Sequence, residues 1–316
     1  MWKSGVIALL AAAVFSPCMA QADEFDAGMN TMWEVLWHQS GTPTRLVRWE
    51  QQDIKVRIFG TNVAAHKQHT LAALRAVAGE SGKNIVDVSD RADAAQQANV
   101  SIEITPDSAL SDNQPCETRL NFRTEDKLES VTMQMRDSEE RRCAYHESMH
   151  VMGVRGHPEG NTVLSYFTSH TEGLLPLDKA MLRAWYSPRA RGGMTPFEFL
   201  PIMADELVNI MPDRAVAKLE RDRFLGDTLQ QMQAFADGQG DIPAIIKKCG
   251  KASPEGIKFG RSEMSYFLAV AYQQGTTAPK DPNLAARWLQ RAAEMGSRPA
   301  LARLGAGGFN GSNGAS

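Results

Sequence analysis

His146-Glu147-Ser148-Met149-His150 decides how the rest of this 316-residue chain is read. An α-helix advances about 100° per residue, so side chains four apart stack on one face. His146 and His150 can then each offer an imidazole nitrogen to one Zn2+. Glu147 lies one step round the cylinder, beside such an ion and not on it, where its carboxylate can take the proton of an activated water. Both histidines and the glutamate are therefore candidate site residues, and the pattern points to hydrolytic metal chemistry.

The sequence continues Val151-Met152-Gly153-Val154-Arg155-Gly156-His157. Gly153 can take a left-handed conformation and end the helix in a sharp turn, returning a later residue to the metal. This run resembles the extended motif of the metzincin class of zinc metallopeptidases, HExxHxxGxxH. It departs by one residue: Gly156 stands at the last histidine position and His157 follows it. Metzincins also carry a methionine-containing turn beneath the metal, and Thr162-Val163-Leu164-Ser165-Tyr166 resembles it with Leu164 replacing the methionine. Leucine is close to methionine in volume and can form the same apolar floor. The resemblance implies His157 as third metal ligand. It also implies Tyr166 as a residue that ligates zinc or hydrogen-bonds the oxyanion, and Leu177 to Tyr186 as the closing helix. It spans roughly residues 45 to 190, with 146–166 as its specific part. His38, His66, His69 and His170 have no comparable spacing and read as ordinary polar histidines.

The first 22 residues read as a secretory signal peptide. Lys3 supplies the positive charge, Gly5 to Phe15 the apolar run, and Ala20-Gln21-Ala22 a cleavage site before Asp23. About eleven apolar residues are too few to span a bilayer, so the protein is expected to be exported, periplasmic or secreted, without a membrane span. A net charge of −3 gives no electrostatic footprint for nucleic acid. Cleavage at Ala22 leaves Cys116, Cys143 and Cys249. An oxidising compartment would pair two of them. Cys116 and Cys143 flank a strand pair and lead into the metal helix, so they are the expected bridge and Cys249 the free thiol.

The order of elements predicts an α+β fold. Ile54-Lys55-Val56-Arg57-Ile58 alternates as a half-buried strand, and Asn62 to Ala78 has helical spacing. Asn84 to Val88 and Val100 to Ile104 read as short strands, and Arg119 to Met135 as two more. Asp137 with Glu140 offers a capping box for the metal helix. After the loop Gly192 to Pro196, helices are expected over Phe197–Met211 and Asp213–Phe235, with a break at Asp237 to Asp241.

Met264 to Gly305 resembles a Sel-one-like repeat, a relative of the tetratricopeptide repeat. The matching positions include Leu268, Tyr272, Gly275, Ala285, Trp288, Ala292, Ala293, Gly296 and Ala300. One repeat cannot bury its own face, so Ala244 to Arg261 or the preceding domain should pack against it. The resulting division is a signal peptide at 1–22, a zincin/metzincin-like domain at 23–195 and a helical connector at 196–240. A helical domain carrying the repeat follows at 241–305, then a Gly/Ser/Asn-rich tail at 306–316. The expected function is zinc-dependent hydrolysis of a protein or peptide substrate, with Zn2+ on His146, His150 and His157, and with the repeat binding a protein partner. Two alternatives stay open at this point. One is an interaction protein whose repeat does the work and whose zinc site is structural. The other is a metal hydrolase acting on another substrate, such as a cell-wall peptide. On this division the site is separable from residues 264–316.

Overall fold

In the computed structural model, the alternation at Ile54, Val56 and Ile58 forms strand β1 (Asp53–Gly60), with those three side chains buried and Lys55 exposed. Residues 17–37, 45–124, 127–166, 172–248 and 253–306 are described. Cys249, His38, His170, the expected leader up to residue 16 and the tail from 307 lie outside them. Before β1 comes helix α1 (Pro17–Glu34). After it come α2 (Val63–Glu80), β2 (Asn84–Asp87), the short α3 (Ala94–Gln97), β3 (Val100–Thr105), β4 (Cys116–Thr124) and β5 (Lys127–Arg136). A 3-10 turn at Asp137–Glu139 leads into α4 (Glu140–Val151), followed by α5 (Pro176–Trp185), α6 (Pro196–Ile210) and α7 (Arg214–Ala236). The C-terminal helices are α8 (Ala244–Lys248), α9 (Pro254–Gln274), α10 (Pro282–Glu294) and α11 (Arg298–Gly305). The chain is thus mixed α and β with a C-terminal helical region. No described helix is long and apolar enough to cross a membrane.

The strands form one sheet in the order β2-β1-β3-β5-β4, parallel except for β4, which runs antiparallel to β5 at the edge. Val100, Ile102 and Ile104 of β3 and Val131, Met133 and Met135 of β5 are buried like their β1 counterparts, so one face carries the core. The other face is polar and cross-linked: Arg57 Nε–H donates to Ser101 Oγ at 2.8 Å, and Gln134 Nε2–H to Glu103 Oε2 at 2.7 Å. Period-two alternation with one covered face is what an α+β sheet requires.

Helices α2 and α4 pack side by side. Asp137 and Glu140 do not form the expected capping box: Glu139 caps α4 without a side-chain bond, and both carboxylates are used by α2 instead. His66 Nε2 lies 2.5 Å from Asp137 Oδ1, His69 Nδ1 lies 2.9 Å from Glu140 Oε1, and Thr70 O–H donates to that same oxygen at 2.6 Å. A buried carboxylate left without donors is costly, so this set pins the start of the metal helix. His66 and His69 are structural partners and take no part in the metal cluster.

Cys116 and Cys143 are joined, with Cα atoms 6.1 Å apart across a separation of 27 residues. The bond ties edge strand β4 to α4. Substituting both cysteines by serine is expected to lower stability by about 3 kcal/mol through loop closure in the unfolded chain. Chemical denaturation of the double variant measures this, and an unchanged midpoint would refute it.

The hydrophobic core runs without a break from Phe25 to Ala300. Trp33 meets Phe197 edge-to-face at 5.6 Å, Trp37 meets Phe267 at 6.1 Å, and the Thr277 hydroxyl donates to Phe197 O. These contacts cross the positions of the divisions expected at 195 and 240. Helix α9 touches both α6 and α7, and α1 lies on α6 and α7 as well. Removing Met264 to Ser316 would uncover Trp37 and the flank of α6. Against the separability expected above, such a truncated chain should melt well below the full one or fail to fold. Calorimetry of the full chain decides: two independent transitions would restore a boundary.

Candidate metal centre

Helix α4 carries His146, Glu147 and His150 toward the groove beside β4. Its C-terminal carbonyls are satisfied by side chains from distant segments: Trp49 Nε1–H donates to Val151 O at 2.8 Å, and the Tyr186 hydroxyl to Met152 O at 2.9 Å. These bonds stop the helix where the histidines need it to stop. Gly153 then turns the chain at φ 93°, and a Cβ there would stand 2.5 Å from Val47 O.

The turn brings His157 to the two helical histidines. The three Nε2 atoms lie 3.1 Å from one another in every pairing. Position 156 could not serve in its place, because a Cβ on Gly156 would meet Val35 Cα at 2.5 Å. The Thr31 hydroxyl of α1 donates to Glu159 O at 3.1 Å, holding the same loop down. Helix α1 and the residues just after it are thus the bed on which the third histidine is placed.

Backbone carbonyls fix the tautomers. His146 Nδ1–H donates to Val163 O at 2.9 Å, and His150 Nδ1–H to Val154 O at 2.6 Å. That leaves the Nε2 lone pairs of His146 and His150 facing one another, with His157 Nε2 beside both. Burial, reinforced by His150, pushes the pKa of His146 down to about 4, so its ring is neutral at neutral pH. Lone pairs converging at this distance repel unless a cation lies among them, so the arrangement suits a metal ion. Among the described residues this is the one cluster of three or more histidine, cysteine or carboxylate ligands able to hold one.

Glu147 is 3% exposed, with Oε1 4.0 Å from His146 Nε2. Its other oxygen accepts the Thr118 hydroxyl at 2.5 Å. Burial pushes this carboxyl above the usual range, while His146 and the Thr118 bond pull it back. Such a carboxylate, beside the three histidines, can accept a proton.

Leu164, in the turn after the triad, is fully buried. Asp178, also fully buried, holds the 162–166 turn: it accepts from the Thr162 hydroxyl at 2.5 Å and from the Leu175 N–H at 2.8 Å. Burial raises its pKa to about 6 against these donors. Tyr166 is 59% exposed and its ring stacks on His157 at 4.6 Å and 11°. The groove between α4 and β4 has a volume of about 690 Å3 and is lined by the triad, Glu147 and Tyr166 together with β4 residues.

All five residues expected from the sequence, His146, Glu147, His150, His157 and Tyr166, therefore line one groove. Thr118, Asp178 and the whole of α1 were not anticipated. A signal for Thr118 existed: it lies two residues after Cys116 on a strand, as Glu147 lies four after Cys143 on a helix, so a Cys116–Cys143 bridge brings the two faces together. No such signal pointed to α1, whose side chains hold the backbone of a loop more than a hundred residues later.

Comparison with known proteins matches residues 262–297 to the family model of the Sel1 repeat. The helical repeat expected from Met264 onward is thus present, built from α9, the Gly275 turn at φ 70° and α10. No curated protein matches the chain, and no solved structure matches it.

Proposed function

We propose that this chain is an exported zinc metallopeptidase of the metzincin-like zincin class. The observation that carries the reading is the convergence of the His146, His150 and His157 Nε2 atoms beside a buried Glu147 carboxylate. Their 3.1 Å spacing is close to the roughly 3.3 Å edge of a tetrahedron with Zn–N bonds of about 2.0–2.1 Å. Neutral imidazoles also suit zinc better than they suit calcium or magnesium. Zinc bound there would acidify water and polarise a carbonyl.

The chain's own groups would do the rest. Glu147 Oε1 accepts the proton of the attacking water and returns it to the leaving amine. The Thr118 hydroxyl occupies Oε2 and holds the carboxylate in that orientation. Tyr166, ring-stacked on His157 at the mouth of the groove, donates its hydroxyl to the developing oxyanion. The bond between Cys116 and Cys143 fits an oxidising compartment, as does the N-terminal leader pattern. The Sel1 repeat suggests a protein–protein contact. A cavity of about 950 Å3 beside Tyr272, Arg287 and Trp288 offers it a surface.

Metal analysis of the purified protein, combined with cleavage of a mixed peptide library, tests the reading. One zinc per chain is expected, with cleavage abolished by a chelator and restored by zinc. A structural site would be closed by four protein ligands, whereas three are found among the described residues. A zinc-loaded protein that cuts nothing would favour the alternative of an interaction protein.

A further inference from the structure

The groove beside the triad is lined by three arginines and two glutamates: Arg119, Arg142, Arg155, Glu117 and Glu147. Four of these five are engaged. Arg119 pairs with Glu117, Arg142 lies 3.6 Å from Glu139, and Glu147 accepts the Thr118 hydroxyl. Arg155 differs. Its guanidinium lies 5.5 Å from the centre of the Phe122 ring, and among the described residues it makes no ion pair and no hydrogen bond.

A half-buried guanidinium without an anion is unusual, because it loses hydration and gains nothing in return. Burial holds its pKa below the ordinary value. It nevertheless keeps its charge at any pH at which a protein works. Its place is fixed by the turn that builds the metal centre. Val154, one residue before, accepts from His150, and Gly156, one residue after, is pressed on Val35. His157 then follows, two residues beyond Arg155. The Phe122 face, on the opposite wall of the groove, steadies the guanidinium plane. What this leaves is a fork of donors lining the groove beside the triad. That fork matches a planar carboxylate with two parallel bonds.

We propose that Arg155 is a specificity-determining residue that binds a carboxylate of the substrate next to the scissile bond. This rests on the peptidase reading above. The carboxylate can come from an Asp or Glu side chain or from the C-terminus of the peptide, and the two sources are separable by experiment.

The test uses peptide pairs, taken from the library products or, where nothing is cut, from the library itself, that differ only by Glu against Gln, or Asp against Asn, each with a free and an amidated C-terminus. For the wild type, kcat/KM should favour the acidic member, or the free terminus, by about ten-fold or more, as expected for charge-assisted hydrogen bonds. In Arg155→Met that ratio should fall to near one. In Arg155→Glu it should invert in favour of Lys-containing or amidated peptides. Preference retained on amidated peptides identifies an acidic side chain, and preference lost on amidation identifies the terminal carboxylate. Zinc stoichiometry of each variant shows that the site still folds. Fluorescence anisotropy of the same labelled pairs on the zinc-loaded wild type reads the preference without turnover. Selective binding of the carboxylate member with no cleavage would reject the peptidase reading and keep the Arg155 assignment. Equal handling of acid and amide by the wild type in both assays, or a preference unchanged in Arg155→Met, would overturn the assignment itself.

Discussion

Glu147→Gln is expected to keep one zinc per chain while losing peptide hydrolysis by about a thousand-fold or more. The substitution preserves shape, and the three imidazoles that hold the ion are untouched. The amide oxygen can still accept the Thr118 hydroxyl, so the 2.5 Å contact that orients the side chain survives in kind. What is lost is the buried carboxylate beside the triad that takes the proton. Metal analysis and kinetics on the same preparation separate the outcomes. Loss of zinc would make Glu147 a ligand, and wild-type turnover would remove it from proton transfer altogether.

His157→Ala should weaken zinc binding by on the order of a hundred-fold or more, whereas Glu159→Ala should leave it nearly unchanged. The contrast follows from where the two side chains stand. His157 Nε2 lies 3.1 Å from both helical imidazole nitrogens. Glu159 is exposed and its backbone is tied to α1: its carbonyl accepts from Thr31, and its N–H donates to Glu34 Oε2 at 3.4 Å. The double substitution Gly156→His with His157→Ala should not recover binding, because a Cβ at 156 would collide with the Val35 backbone. Competition titration with a chromogenic chelator measures all three variants. Zinc affinity restored by Gly156→His would show that the one-residue offset carries no structural meaning.

That offset marks where reading the sequence stopped being enough. The i, i+4 histidine pair, the glutamate beside it and the glycine that turns the chain are local features fixed by helical periodicity and backbone conformation, so they are legible without a structure. The strands at 54–58 and 100–104 and the repeat from Met264 are legible for the same reason, since period and turn residues lie within a dozen positions. The Cys116–Cys143 bond was within reach because both cysteines lie on recognisable elements.

Capping signals were less secure. Asp137 and Glu140 have the right spacing for a box, yet His66, His69 and Thr70 of a helix seventy residues earlier take those carboxylates. Local and distant donors compete for one acceptor, and sequence spacing sees only the local ones. Packing across the divisions expected at 195 and 240 is hidden from the sequence for a related reason. A glycine-rich loop looks like a boundary in one dimension, whereas Trp33, Trp37, Phe197 and Phe267 pack across it in three.

By itself the sequence determined the candidate ligands, the candidate base, the α+β character and the helical repeat, because each depends on residues close together along the chain. Only the tertiary structure decided that Gly156 has no room for a side chain, that Thr118 grips Glu147, that Asp178 props the 162–166 turn, and that Arg155 has no anionic partner among the described residues. Each of these depends on contacts between segments tens of residues apart or more, or on finding none, and the close packing that sets them leaves no periodic trace in the chain.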